Sequence, residues 1–410
     1  MEQAQLIHSQ QSLTLDLPPS CIEFCPTHPQ YFVVGTYNLQ KDDGAPTEDI
    51  NADSDDDDDT IQVAARQSQN RNGSLVVFQL DDDEVRHVQT VQQPSAILDL
   101  HFHPQKDKSD ILAVVSSTGT LSFFRLEVPS GGSSAVLTEL ATHQPLDGMG
   151  IPFFLSCCWH PVLPDFISVT TSAFEVLIFR IGDAWSIAQA SDGPVLAHTL
   201  EAWTVAISPV SHETAGRKMF TIYSGGDDSM LLQTTCTLQT DTPVIEFAPA
   251  LKTKGHGAGV TAILPLDITI ENNARVLLTG SYDDHFRVYA AYEVSPKTLG
   301  MRAGLLQETN LDGGVWRLKL VSLKRQQYND KWEATVLASC MHAGSRVLRV
   351  TGSSKMEDCA VEVVARFEEH KSMNYGSDFQ PGSEAAGREL KIVSTSFYDK
   401  LLCFWVLPHT

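Results

Sequence analysis

Seven stretches of this chain repeat one outline: an apolar strand-like run, a short polar turn, and a second apolar run. The sharpest are YSGGDDSMLLQTT (223–235), VLLTGSYDDHFRVYAAY (276–292) and SFYDKLLCFWVL (396–407). Fainter copies are NRNGSLVVFQL (70–80), VSSTGTLSFFRL (115–126), TTSAFEVLIFRI (170–181) and CMHAGSRVLRV (340–350). Taking Asn72, Thr118, Ala173, Asp227, Asp283, Ala343 and Asp399 as equivalent turn positions gives spacings of 46 to 60 residues. A period of this length constrains the fold strongly, because each unit must bury its faces against its neighbours.

A further strand precedes each turn, as in CIEFCPTHP, AILDLHFHP, LSCCWHPVLP, WTVAISP, VTAILP, VWRLKLVSL and, more weakly, MNYGSDF. Its apolar residues alternate, the signature of a half-buried strand. Helical periodicity is scarce. Seven units of about four strands each predict an all-β, seven-bladed β-propeller occupying 1–410 as one domain. LIHSQQSLTLDL near the N-terminus is expected to supply the outer strand of the last blade and fasten the ring.

Acidic residues number 51 against 29 basic ones, a net charge of −22. Such a surface repels phosphate and anionic lipid, which argues against nucleic-acid and membrane binding and favours cationic partners. Part of the charge lies in an insertion within blade one, 41–71, with an aspartate run and few large apolar residues. That composition predicts disorder, a solvated loop rather than a device. Eight cysteines without a CxxC pair read as reduced thiols of a cytoplasmic protein. The start of the sequence lacks a signal peptide's pattern, and no apolar run is long enough to span a bilayer. No serine elbow, HExxH, Walker loop or metal-ligand spacing occurs, so neither cofactor nor metal is expected.

The units resemble WD-repeat propellers. Gly255-His256 stands 27 residues before Asp283, and His198 stands 29 before Asp227, as that family's loop-pinning histidines do before its turn aspartates. The Trp-Asp dipeptide itself is missing; Tyr289 and Trp405 take its aromatic place. In a WD-type blade, the loop entering the inner strand and the turn between the second and third strands share one face. HTLEAW, GHGAG, DGGVW and EHKSMNY would therefore meet GGDD, SYDDH, CMHAG and FYD around one mouth of the channel, in blades four to seven. That mouth is acidic and aromatic, chemistry that attracts a quaternary ammonium. Asp227 and Asp283 read first as structural turn acceptors. Asp228, Asp284 and His285 follow them and are freer to project. His198 and His256 read as loop pins. For Trp203 and Trp316, burial between blades competes with exposure at the mouth. His342 lacks a structural aspartate beside it, Ala343 taking that place.

A closer resemblance rests on an ordered set: GTY (35–37), SAILDL (95–100), HTLEAW (198–203), YSGGDD (223–228), TGSYDDH (279–285), GGVWRLK (313–319), CMHAG (340–344) and NYGSDF (374–379). Together these are similar to the diphthine methyl ester hydrolases, WD-repeat enzymes of diphthamide synthesis. The resemblance implies a cytoplasmic enzyme acting on translation elongation factor 2, and a monomer is expected. It also implies release of methanol from an esterified, trimethylated side chain. The family supplies no triad to transfer, so roles rest on position. His342, or His285, is the expected base, oriented by Asp284 or Asp228. The amides of Gly225, Gly226, Gly313 and Gly314 are the expected oxyanion donors. Trp203, Trp316 and Tyr375 would hold the trimethylammonium, with Glu201, Tyr282, His370 and Tyr398 completing the binding surface. The rival readings are a non-catalytic WD-repeat scaffold and a reader of methylated lysine.

Overall fold

A computed structural model describes residues 4–39, 71–129, 134–146, 148, 150–214, 216–239, 244–293, 302–326, 330–385 and 388–408. The acidic stretch 41–71, except Arg71, lies outside the described residues. Seven mainly antiparallel sheets follow one another along the chain, and the molecule is a seven-bladed β-propeller. The fifth blade shows the pattern, running Val260–Ile270, Ala274–Ser281, His285–Tyr292 and Gly304–Asn310 from the axis outward.

Alternation decides how the blades pack. Val276 and Leu278 point into a cluster shared with Val336, Ala338 and Leu348 of blade six. Leu277, one residue along, points the other way against Tyr223 and Leu231 of blade four. Both faces of each sheet are covered by neighbours, so the strands read as nearly continuous apolar runs. Each fully buried Val or Leu contributes about 1.5–3 kcal/mol, and only ring closure leaves no face uncovered.

The ring closes as the sequence predicts. Ser9–Thr14 lies antiparallel to Leu401–Leu407 as the outer strand of blade seven. Gln11 then clamps blade one through the Val85 amide at 2.6 Å and carbonyl at 3.0 Å. The preceding Gln5–Ile7 was not anticipated. It runs parallel to Ala360–Phe367 and adds a fifth strand to blade six. All eight cysteines are free thiols, six of them buried. No helix among the described residues is long and apolar enough to cross a membrane.

Candidate functional site

The loops and turns singled out in blades four to seven do meet, and an arc of aromatic side chains joins them. Trp203 and Trp316 meet edge to face at 5.6 Å, and Tyr282 packs on both at 6.4 and 5.7 Å. Tyr375 follows on Trp316 at 5.0 Å, and Phe397 on Tyr375 at 5.4 Å. Tyr37 of blade one continues the arc, 5.9 Å from Phe397. Arg71 donates from Nε to the Tyr37 hydroxyl at 2.8 Å and lays its guanidinium 4.8 Å over the Phe153 ring of blade three. The contacts thus leave blade four and return to its neighbour, blade three. All these rings are half-buried, so they present surface without dissolving into the core. Burial, with Asp227 and Tyr375 nearby, pushes the Tyr282 phenol well above its ordinary value. Burial, with Tyr398 nearby, also raises the Tyr375 phenol. Both rings stay neutral.

The adjacent aspartates of blade four exchange the places expected of them. Asp228 is the loop pin: its carboxylate accepts the Thr199 amide at 2.9 Å and lies 2.8 Å from His198 Nδ1. His198 Nε2 is 2.9 Å from the Ser224 hydroxyl. Burial alone would raise the Asp228 carboxyl, but the Thr199 amide and His198 outweigh it and hold it below its ordinary value. Asp227 instead accepts the Trp203 indole N–H at 2.7 Å and joins the aromatic arc.

Strand pairing explains the exchange. Gly225 pairs with Leu231 and Gly280 with Phe286, which aligns Asp228 with Asp283 and Asp227 with Tyr282. Asp283 accordingly accepts the Gly257 amide at 2.6 Å and meets Arg287 at 2.8 Å. The same count, from Ser339 paired with Ser345, puts His342 at the pin position and Met341 at the mouth position. Ala343 does not stand in the aspartate's place.

His285 and Asp284 are adjacent without an ion pair between them. The His285 Nδ1–H donates to the Asp283 carbonyl at 2.5 Å, and Asp284 adopts the left-handed region, φ 65°. His370 is buried, 2.8 Å from the Ser394 hydroxyl, and repeats the place of His198 rather than facing the mouth. Burial lowers His370 and His256 to about 4, which leaves both weak bases near neutral pH. His342 is exposed and has no hydrogen-bond partner among the described residues. Tyr398 is 70% exposed and packs edge-on against Phe397. Glu201 is half-buried, its carbonyl accepting the Asp227 amide at 2.9 Å.

Gly225 and Gly226 lie inside the strand Arg217–Gly226 and are there for close packing. A Cβ on Gly225 would come 2.6 Å from the Val260 carbonyl, and one on Gly226 2.8 Å from the His198 ring. Gly313 and Gly314 precede the strand Arg317–Arg325, packed on the blade-six turn beside Ala343 and Met341.

Beneath the arc lies a charged floor that sequence reasoning missed. Arg317, the residue after Trp316, reaches from blade six to Asp99 of blade two at 2.9 Å. Lys319 lies 2.7 Å from Glu23 of blade one and 3.4 Å from Asp378 of blade seven. His101 lies between Glu23 at 3.1 Å and Asp99 at 3.4 Å. For Glu23, burial is outweighed by Lys319 and His101, which hold it down to about 2. For His101, Asp99 and Glu23 outweigh burial and lift it to about 10. The signal was in SAILDL and WRLK: charged residues at alternate positions of inner strands.

No family model matches the chain. Among curated proteins, it is similar to diphthine methyltransferases. The Schizosaccharomyces pombe diphthine methyltransferase is 26% identical over 339 residues, 82% of this chain and 86% of the relative. A Dictyostelium discoideum diphthine methyltransferase homolog is 23% identical over 414 residues, 96% and 97%. The Saccharomyces cerevisiae diphthine methyltransferase is 24% identical over 426 residues, 95% and 96%. Solved structures share the fold alone. Chaetomium thermophilum Sqt1, bound to the N-terminus of ribosomal protein L10, has a TM-score of 0.55 at 13% identity, covering 97% of this chain and 99% of that one. Saccharomyces cerevisiae Sqt1 gives 0.53 at 10% identity, with 99% of each chain covered.

Proposed function

We propose that this protein acts in diphthamide biosynthesis as an esterase, hydrolysing diphthine methyl ester on translation elongation factor 2. The observation that carries this reading is the aromatic arc with the Asp227 carboxylate in it. Neutral ring faces and one carboxylate suit a fixed trimethylammonium, each desolvated ring contributing about 1–2 kcal/mol. The names of the relatives supply the pathway.

Held by its ammonium, the substrate presents its ester to water. His342 sits at the pin position of the blade-six turn rather than at its mouth position. We give it the base's role, taking a proton from the attacking water, because of His285, His342 and His370 it alone has both ring nitrogens unengaged. Water adds to the ester carbonyl, the C–O bond to the methoxy group breaks, and methanol leaves with a proton. The product is the carboxylate of diphthine, and one further proton passes to solvent. Gly313 and Gly314 serve best of the four glycines as oxyanion donors, because they lie outside a strand ladder.

The relatives' name favours a second reading, methyl transfer onto diphthine. One assay separates the two. Ester-bearing elongation factor 2 incubated with the purified chain should lose one methyl ester with release of methanol. Unchanged ester, with mass gained on diphthine only when S-adenosylmethionine is added, would replace hydrolysis by transfer. Replacing His342 by Ala should slow hydrolysis about a hundredfold or more; an unchanged rate removes it from the role.

A further inference from the structure

The floor is more than a tie between blades. Its carboxylates are withdrawn and its cations look into the lumen. The Asp99, Asp378 and Glu23 side chains are 2%, 3% and 12% exposed, against 23% for Arg317, 35% for His101 and 36% for Lys319. Arg317 spends Nη1 and Nη2 on Asp99, which leaves N–H donors of its five unspent. Asp378 offers a second, independent sign. Its Oδ1 is buried without a hydrogen-bond partner, while Oδ2 accepts the Phe24 amide at 2.8 Å. Burial pushes the Asp378 carboxyl upward, with Glu23 adding to it against Lys319. Placement matters as much as charge, because Trp316 of the arc and Arg317 of the floor are consecutive residues.

We propose that Arg317 and Lys319 form a carboxyl-recognising subsite coaxial with the aromatic arc, so that the mouth reads a trimethylammonium and its adjacent carboxyl group as one unit. The inference rests on the quaternary-ammonium reading of the arc and deepens it. An ester offers the floor only a neutral carbonyl oxygen, whereas the hydrolysed product offers an anion. Charge-assisted hydrogen bonds are roughly twice as strong as neutral ones. The product therefore binds more tightly than the substrate.

Three small probes test this: choline, glycine betaine and glycine betaine methyl ester, titrated against the whole protein by calorimetry or by Trp203 and Trp316 fluorescence. Wild-type protein should bind betaine about tenfold more tightly than choline, with the methyl ester between them. That comparison needs no variant. Arg317→Met or Lys319→Met should bring betaine to the choline level while leaving choline unchanged, and Arg317→Lys should restore part of the preference. Two variants guard against one that does not fold. Equal affinity of wild type for choline and betaine, or a preference that survives in folded variants, overturns the subsite and leaves the arc standing. Failure of all three probes to bind wild type overturns the arc's reading and the subsite with it.

Discussion

Replacing Asp99 by Ala strips the floor of its most connected carboxylate. Asp99 accepts from Arg317 at 2.9 and 3.3 Å, from the Ser156 hydroxyl at 2.8 Å and from the Cys157 amide at 3.1 Å. Its side chain is 2% exposed. Breaking a buried pair from one side costs about 3–5 kcal/mol, because the surviving charge is left uncompensated. Arg317, at 23% exposed, recovers some hydration and moves the figure to the lower end. Two orphaned neutral donors add about 1 kcal/mol each, so the expected loss is about 5 kcal/mol. Asp99→Ala with Arg317→Met removes both charges and should cost far less than the sum of the single changes, with a coupling of about 2 kcal/mol or more. Urea unfolding at neutral pH, read as midpoints at constant slope, measures all four corners of the cycle. A single-variant loss below about 1 kcal/mol, or strictly additive losses, would show that the pair is solvated and that the floor is not a closed network.

Three further outcomes are expected. Trp316→Leu should weaken tetramethylammonium binding about tenfold by calorimetry, since it removes the ring that touches Trp203, Tyr282 and Tyr375; unchanged affinity would mean that the cation binds elsewhere. Asp228→Ala should lower stability by about 1–3 kcal/mol through the lost loop pin, whereas Asp227→Asn should change it by less than about 0.5 kcal/mol and weaken cation binding instead; the reverse pattern would restore the order read from sequence. Stability should also fall as pH drops from about 4.5 toward 2, because Glu23 and Asp283 are each held down to about 2 and their contribution drains as they take up protons. His101 has the opposite sign, its contribution fading as pH rises through about 10. Thermal midpoints across both ranges check this, and a flat acid limb that Glu23→Gln leaves unaltered would contradict it.

The blades were legible because strand, turn and alternation are local features repeated seven times. Closure by Ser9–Thr14 was legible for the same reason, as a leftover strand with a vacant place to fill. The exchange of Asp227 and Asp228 was not, although SGGDD laid on TGSYDD by the glycine, rather than by the first aspartate, would have shown it. A one-residue slip in a period-2 structure reverses every side chain, which also misplaced His342. Phe397 and Tyr37 sat unweighed inside the motifs FYD and GTY. The floor was hidden for a different reason. Arg317 and Asp99 are 218 residues apart, and nothing local marks two inner-strand charges as partners.

The pairing of the first strands with the last blade has a price in time. Ser9–Thr14 leaves the ribosome early and waits for Leu401–Leu407, nearly four hundred residues later. At about 5–20 residues per second, that wait is roughly tens of seconds. Through it the nascent chain carries an unpaired edge, and Ile7, destined to be 6% exposed, stands in solvent. The molecule is thus most open to chaperones, and to mispairing with other chains, in the interval before its two ends find each other.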